Sequence, residues 1–334
     1  MHTKMQYAAL MACALLLIPA VAFAQTSTQS TTTVQQSYMN ATLAQVTCKA
    51  NYLTGYIGDA ISVIPTINST AISADSSKIT TDLQTVTSDA NNGNKTQFKT
   101  DIPTLRADFK SGRLDLNHAV KASAPTKDER SQLRTDMRSL ETVEQSCMFA
   151  AEQQSAQAKV VSFQFGIQQE QNRSHKLYLR GFDTTQLNQT ISQAQTNLGN
   201  FVASISSAIN STQLKAALQS YCQYDGCKSG TNFHFAAQSA LNAEQAALTA
   251  IKANQNSGQY STQISQVQTD LTNAQNTLSA VGTGQYQGTQ STDVWNNLHN
   301  AQGIINQIWH GLNGHGTSSG SGTSSSNSGT TTSE

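Results

Sequence analysis

Charge is scarce in this chain of 334 residues, and it is balanced. Charged residues make up 12% of the sequence, with 20 Lys and Arg against 20 Asp and Glu, so the formal net charge is zero. A protein that neutralises phosphates needs a basic face, and this balance shows none. We therefore predict no nucleic-acid partner, and an anionic membrane surface is disfavoured for the same reason.

Neutral Ser, Thr, Asn and Gln side chains supply most of the polarity that charged residues would otherwise provide. A surface with few titratable groups changes little with pH, because few of its groups gain or lose a proton. Such a surface suits an acidic or variable exterior. Compositional drift toward Gln and Ser would produce the same pattern, and both interpretations stay open.

Proline is also rare, with four residues in the chain and none after Pro125. The apolar residues recur at alternating steps of three and four, a period that is typical of helices packed along a shared seam. The fold class that follows is all-α: an elongated antiparallel helical bundle with coiled-coil-like hairpins. The three clearest ladders are Leu43, Val46, Ala50, Leu53, Ile57, Ala60, Ile64 and Ile67; Leu187, Ile191, Ala194, Leu198, Phe201, Ile205 and Ala208; and Tyr260, Ile264, Val267, Leu271, Ala274, Leu278 and Val281.

Breaks in the apolar pattern and the distribution of charge divide the chain into segments. Most charged residues lie between Asp75 and Asp183, which predicts a charged helical subdomain over 38–181 and a neutral Gln/Asn-rich one over 182–313. Polar low-complexity sequence predicts a disordered leader over 25–37 and a Gly/Ser/Thr tail over 314–334. The predicted helices are 38–67, 76–92, 96–122, 127–179, 184–209, 211–224, 233–256, 259–281 and 291–313.

The first 24 residues resemble a secretory signal. An apolar run from Tyr7 to Ala24 ends in Ala22-Phe23-Ala24, a small-x-small cleavage site before Gln25. We therefore expect a secreted or cell-envelope protein with no membrane span after cleavage. The alternative is an uncleaved anchor, since about eighteen apolar residues can just cross a bilayer.

Four cysteines remain after the predicted cleavage: Cys48, Cys147, Cys222 and Cys227. An even number in an exported chain favours disulfides. A Cys222–Cys227 pair would staple a local loop, and a Cys48–Cys147 pair would then tie the first ladder to a later helix. Four thiolates could instead bind zinc, although the usual C-x2-C knuckles are missing.

One predicted helix, 127–179, is unusually long. Thr126 and Glu129 have the spacing of a capping box, which favours a helix start after Pro125. A continuous helix here would be about 75–80 Å long, with Gly166 as its weakest point. Pro103 interrupts another apolar ladder, so either a helix begins near Asp101 or a helix is kinked there.

No catalytic, metal or cofactor motif is apparent, so we predict a non-enzymatic protein without a cofactor. No histidine has a ligand-like partner at helical spacing, and Glu141, Glu144 and Glu152 lack the E-x-x-H partner of di-iron bundles. Glu144 falls near a core position, where it would need Lys or Arg nearby. Six N-x-S/T sequons, about as many as chance gives, are possible glycosylation sites: Asn40, Asn68, Asn94, Asn172, Asn188 and Asn210.

The function that these features favour is contact through helix faces, as a scaffold, adhesin or assembly partner at the cell envelope or outside the cell. A protein partner or self-association is expected. The alternative is a chaperone-like or small-ligand-binding bundle, and an enzyme is the least favoured class. The alternative predicts an exposed groove among the aromatic residues Phe149, Phe163, Phe165, Phe233 and Phe235.

Overall fold

The computed structural model describes residues 30–221, 233–281 and 288–314. Within these ranges the chain is helical and contains no strand, which confirms the predicted all-α class. No helix in these ranges combines the length and the apolar character that crossing a membrane requires. The elements are α1 (Thr31–Val63), α2 (Ser69–Asn91), α3 (Lys95–Ala122), α4 (Lys127–Leu179), α5 (Thr185–Ser207), α6 (Ser211–Tyr221), α7 (Phe233–Ala253), a 3-10 turn (Ser257–Tyr260), α8 (Ser261–Val281) and α9 (Gly288–Gly314).

Three apolar cores follow one another along the molecule. The first joins α1, α2 and α3, the second joins the later part of α4 with α5 and α6, and the third joins α7, α8 and α9. Helix α4 contributes to all three, through Leu133, Phe163 and Leu177 respectively. Residues on both sides of position 181 share the second core, so the uneven charge distribution does not coincide with a division of the apolar interior.

The long helix α4 has the predicted bounds, and its start has the predicted cause. The Thr126 hydroxyl accepts from the Glu129 backbone N–H at 3.2 Å, and the Glu129 carboxylate accepts from the Thr126 N–H at 2.7 Å. These two bonds satisfy N–H groups that have no partner inside the helix. The helix continues through Gly166 and stops before Gly181, whose φ of +83° is accessible to glycine at little cost.

Small side chains let α1 and α4 approach closely in antiparallel orientation. Gly55 of α1 faces Leu140 of α4, where an added Cβ would lie 3.1 Å from the leucine Cδ2. Two helical turns further along this contact, Cys48 and Cys147 form the predicted disulfide, with Cα atoms 5.7 Å apart. The same seam continues to Gln45, whose amide donates to the Ser155 hydroxyl at 2.9 Å.

Helices α2 and α3 form an antiparallel hairpin around Gly93, which has a φ of +68°. They approach closely at Gly112, where an added Cβ would lie 3.2 Å from Ile79 Cδ1 and 3.4 Å from Asp75 Cβ. Helix α3 runs through Pro103 rather than beginning near Asp101. The proline lies on the exposed side of the helix, so its ring does not disturb the seam.

A buried ion pair links α4 to α7. Arg173 donates to Glu244 at 2.6 Å, and the Glu244 side chain is only 7% exposed. Arg173 also lies 3.8 Å from Glu170 on its own helix. Burial raises the pKa of Glu244, and the Arg173 charge and hydrogen bond oppose that rise.

The beginning of α1 differs from the prediction. The helix starts at Thr31 instead of residue 38, because the Ser30 hydroxyl accepts from the Thr33 backbone N–H at 3.1 Å and caps it. Polar composition alone therefore misled the leader prediction over 31–37. The predicted signal segment, most of the tail, and Cys222 and Cys227 lie outside the described residues.

Candidate functional site

A surface cleft lies where α5, α6 and α7 meet. Its volume is about 620 Å³, in the range of small-molecule sites in proteins. The lining residues are Thr190, Gln193, Ala194, Asn197, Asn200, Phe201, Ser204, Ala217, Ser220, Tyr221, His234, Phe235 and Gln238.

The periodicity of α5 determines which side chains face the cleft. Its apolar ladder, including Leu187, Leu198 and Ile205, turns into the second core and anchors the helix. The adjoining stripe consists of amides and hydroxyls, which therefore lie at the cleft wall. The short helix α6 is fixed at its start, where Asn210 Oδ1 accepts from the Gln213 N–H and Gln213 Oε1 accepts from the Ile209 N–H, each at 2.9 Å.

Aromatic rings line part of the cleft. Phe201 and Tyr221 stack with ring centroids 4.4 Å apart and planes 15° from parallel. Phe163 of α4 lies behind them, 4.9 Å from the Tyr221 ring and 6.3 Å from Phe201. Since Phe163 and Phe201 are buried in the second core, the aromatic side has a fixed position relative to the helices.

Hydrogen bonds hold several of the amides that line the cleft. Gln193 donates to Asn197 Oδ1 at 2.9 Å along α5. Gln238 donates to Asn242 Oδ1 at 2.9 Å along α7, and the buried Asn242 donates to the Thr190 hydroxyl of α5 at 2.8 Å. The lining amides Gln193, Asn197 and Gln238 keep further donor or acceptor positions that a ligand can use. The wall is thus partly pre-organised for polar recognition.

Among the residues that the structure describes, the lining contains no Asp, Glu, Lys, Arg or Cys. Its one histidine, His234, is half-buried, and burial lowers its pKa, so near pH 7 the imidazole is neutral. Tyr221 is the other titratable side chain of the described lining, and its ring stacks on Phe201. The described lining residues supply hydrogen bonds and ring faces.

The five predicted groove aromatics are only partly brought together. Phe235 lines the cleft, and Phe163 supports the stacked rings from inside the core. Phe149 packs half-buried against the same core, Phe165 is half-buried on α4, and the side chain of Phe233 lies outside the described residues. Phe201 and Tyr221 complete the site and were not predicted.

The other candidate residues lie apart from the cleft. Burial raises the pKa of Glu144, while Lys49 and Arg113 lower it, so the cationic neighbours expected for this residue are present. Glu141 and Glu152 are half-exposed on α4. In the ranges that the structure describes, no three His, Cys, Asp or Glu side chains are grouped as metal ligands.

Three of the six predicted glycosylation asparagines also cap a helix. Asn68, Asn94 and Asn210 cap helices by accepting from backbone N–H groups with their side-chain oxygens. Asn188 accepts from the Ser174 hydroxyl at 2.7 Å. Asn40 and Asn172 are exposed on helices. Modification at all six stays a prediction.

The amides that line the cleft were missed in the sequence because Gln and Asn occur throughout the chain. Gln193, Asn197, Asn200 and Ser204 recur at steps of three and four, which is a signal of one helix stripe. The stripe becomes recognisable only when its positions are compared with those of the apolar ladder on the same helix. No protein-family model, curated protein or solved structure matches this chain.

Proposed function

We propose that this is an exported, non-catalytic protein that binds a small neutral polar ligand of the carbohydrate class in the cleft between α5, α6 and α7. The observation that carries this proposal is the lining, which among the described residues is uncharged and combines the stacked Phe201 and Tyr221 rings with hydrogen-bonded amides. The Cys48–Cys147 disulfide supports export, because disulfides persist in oxidising compartments.

A sugar can contact both kinds of lining residue, the aromatic rings and the amides. Its C–H faces are apolar and pack against aromatic rings, while its hydroxyls both donate and accept hydrogen bonds. Amide side chains can match hydroxyls in either direction, which charged side chains cannot do. The polar lining also favours this ligand class over the apolar client segments of a chaperone.

The test uses titration calorimetry of the full mature chain with glucose, galactose, N-acetylglucosamine, cellobiose and chitobiose. We expect at least one of these sugars to bind, and the double substitution Gln193→Ala with Asn197→Ala to weaken that binding about tenfold or more, because unpaired ligand hydroxyls cost roughly 1–3 kcal/mol. Both residues are exposed on α5, so the substitution leaves the core intact.

The matched control is Gln189→Ala with Gln195→Ala, which removes two amides from the same helix outside the cleft lining. Equal loss in both double variants would contradict a site in this cleft. Absence of heat or of ligand-induced chemical-shift changes for every sugar would contradict the carbohydrate class.

A second candidate is contact through the outer face of α3, in line with the helix-face function expected from the sequence. Six exposed basic residues fall within an arc of about 80° at 100° per residue. The inference from zero net charge that the chain has no basic face is therefore wrong for this helix. The cationic stripe consists of Lys95, Lys99, Arg106, Lys110, Arg113 and Lys121.

We propose an anionic envelope polymer as the partner of this cationic stripe, since clustered cations release counterions from such a chain. Binding to immobilised polyphosphate should weaken as salt is added. The slope of log K against log salt concentration should become shallower by roughly 0.7–0.9 per lost contact in the triple variant Lys99→Gln, Arg106→Gln and Lys110→Gln. The control is Lys176→Gln with Lys215→Gln and Lys252→Gln, three exposed cations elsewhere. Equal slopes in both variants would contradict the proposal.

A further inference from the structure

Six aspartates are spaced by seven residues on the two helices of the α2–α3 hairpin. Because the helices are antiparallel and both sets step by seven, every aspartate of one helix meets one of the other in the same register. We call these residues the aspartate ladder. Its three pairs are Asp75 with Asp115, Asp82 with Asp108, and Asp89 with Asp101.

The paired carboxyl groups are within hydrogen-bonding reach of each other; Asp89 and Asp108 are buried, and the other four aspartates are half-exposed. Asp89 is 9% exposed and Asp108 is 8% exposed. Asp75, Asp82, Asp89 and Asp108 each have a buried Oδ2 that receives no hydrogen bond from a backbone or non-carboxyl donor in the described residues. Two carboxylates cannot bond to each other, so the remaining donor is the O–H of a protonated partner.

Among the cations of the hairpin, Lys78 acts on the ladder, where its charge lowers the pKa of Asp75 and Asp82 and partly offsets the causes that raise them. Lys78 donates to Asp108, and this is the one ion pair with a ladder residue in the part of the chain that the structure describes. The cationic stripe lies on the opposite side of α3, about 180° from its three aspartates at 100° per residue. The remaining contacts of the outer aspartates are neutral, with Gln97 donating to Asp101 and Ser111 to Asp115.

Helix α1 is the third element packed against the hairpin, and it has two charged residues, Lys49 and Asp59. Lys49 acts on Glu144 of α4, away from the ladder. Asp59 is half-buried on α1 and adds no positive charge. The tyrosines of α1 face groups outside the ladder. Tyr52 faces Glu141, Glu144 and Arg113. Tyr56 faces Arg113, and Tyr38 bonds to Ser162.

We propose that the aspartate ladder is a set of three proton-binding sites, one shared proton per carboxyl pair, and that it makes the protein more stable in an acidic medium than at neutral pH. Sharing one proton converts a repulsive pair of carboxylates into a hydrogen-bonded carboxylic acid and carboxylate. Asn or Gln at these positions would make the same hairpin without pH dependence.

The pKa directions agree with this arrangement. The pKa of Asp75 is raised by burial and by the Asp115 charge. The pKa of Asp82 is raised by its hydrogen bond to Asp108 and by burial. The pKa of Asp89 is raised by burial and by its hydrogen bond to Asp101. Burial alone would raise the pKa of Asp108, but the bonds from Asp82 and Lys78 and the Lys78 charge together lower it. Each assigned pair therefore has one member that keeps its proton longer.

The sign of the stability change follows from these directions. Groups with a raised pKa contribute stability that is fully present below the unfolded value, about 3.8, and is lost as the pH rises through the folded value. Asp108 acts in the opposite sense, and its contribution is lost as the pH falls below about 3.8. The hairpin should therefore be most stable near pH 4 and weaken toward neutrality.

The experiment measures urea unfolding of the mature chain between about pH 4 and pH 7, with a chelator present so that no divalent cation replaces the protons. In the wild type, the unfolding constant should rise with pH, by up to about tenfold per pH unit for each pair that shares a proton. Asp82→Asn with Asp89→Asn should unfold at higher urea than wild type near neutral pH and reduce the slope, because Asn donates to the partner carboxylate without a titrating proton.

The control, Asp136→Asn with Asp293→Asn, removes two negative charges outside the ladder and should keep the wild-type slope. Both variants retain Glu144, Glu170 and Glu244, whose pKa values are raised by burial and which contribute to the same slope. Identical slopes in the ladder variant and wild type would overturn the proposal. Carbon-detected NMR titration is the second readout, and ordinary aspartate titration by all six ladder carboxyls would overturn it too.

Discussion

Reduction of the Cys48–Cys147 disulfide is expected to lower the free energy of unfolding by about 4 kcal/mol. The bond joins residues 99 positions apart, and the chain-entropy argument gives about 4–5 kcal/mol for closing a loop of roughly 100 residues. The measurement is urea unfolding of the wild type with and without dithiothreitol. Cys48→Ala with Cys147→Ala removes this cross-link alone and should show the loss of about 4 kcal/mol without reductant, whereas dithiothreitol also opens any bond between Cys222 and Cys227.

Cys222 and Cys227 supply the control for the disulfide. Cys222→Ala with Cys227→Ala makes the same chemical change, and a bond between these residues would close a loop of about six, for which the same argument gives about 2 kcal/mol. This variant should therefore unfold at higher urea than the Cys48/Cys147 variant. An unchanged midpoint for the reduced wild type would show that the cross-link does not restrict the unfolded chain.

Replacing Arg173 with alanine should destabilise the protein by roughly 3 kcal/mol. The substitution leaves the Glu244 carboxylate, 7% exposed, without its cation, and breaking a buried pair from one side costs about 3–5 kcal/mol. The lower end is expected because the Arg173 side chain is 28% exposed and water can partly replace it. Urea unfolding near pH 7 measures the loss.

A second substitution separates the cost of an unpaired charge from the loss of packing. Adding Glu244→Gln to Arg173→Ala removes the orphaned charge and should restore most of the lost stability. The single Glu244→Gln variant completes the double-mutant cycle. If Glu244→Gln gives no recovery in the Arg173→Ala background, the main contribution of Arg173 is the packing of its aliphatic stem.

The helices could be predicted from the sequence because their signals are local. The bounds of α4 follow from the Thr126–Glu129 capping box and from Gly181, both of which act within one turn. The early start of α1 was missed because Thr31 and its neighbours are polar, and the Ser30 cap outweighs that composition. The Cys48–Cys147 pairing was predicted because the other two cysteines are close in sequence.

The cleft and the aspartate ladder could not be predicted in the same way, because both depend on how separate helices meet. Asn242 reaches Thr190 across 52 positions, and nothing in either local sequence indicates this contact. The seven-residue spacing of Asp75, Asp82 and Asp89 is visible in the sequence. Their pairing also requires the register of α3, which the Gly93 turn and the close approach at Gly112 determine.

The antiparallel pairing of α1 with α4 has a consequence for the time that the chain takes to fold during synthesis. The α1 residues around Cys48 leave the ribosome well before Cys147, which lies 99 positions later. At about 5–20 residues per second, the face of α1 that contacts α4 waits roughly 5–20 s for its partner. During that interval the surface around Gly55 is uncovered. A holding chaperone would be of most use in this period.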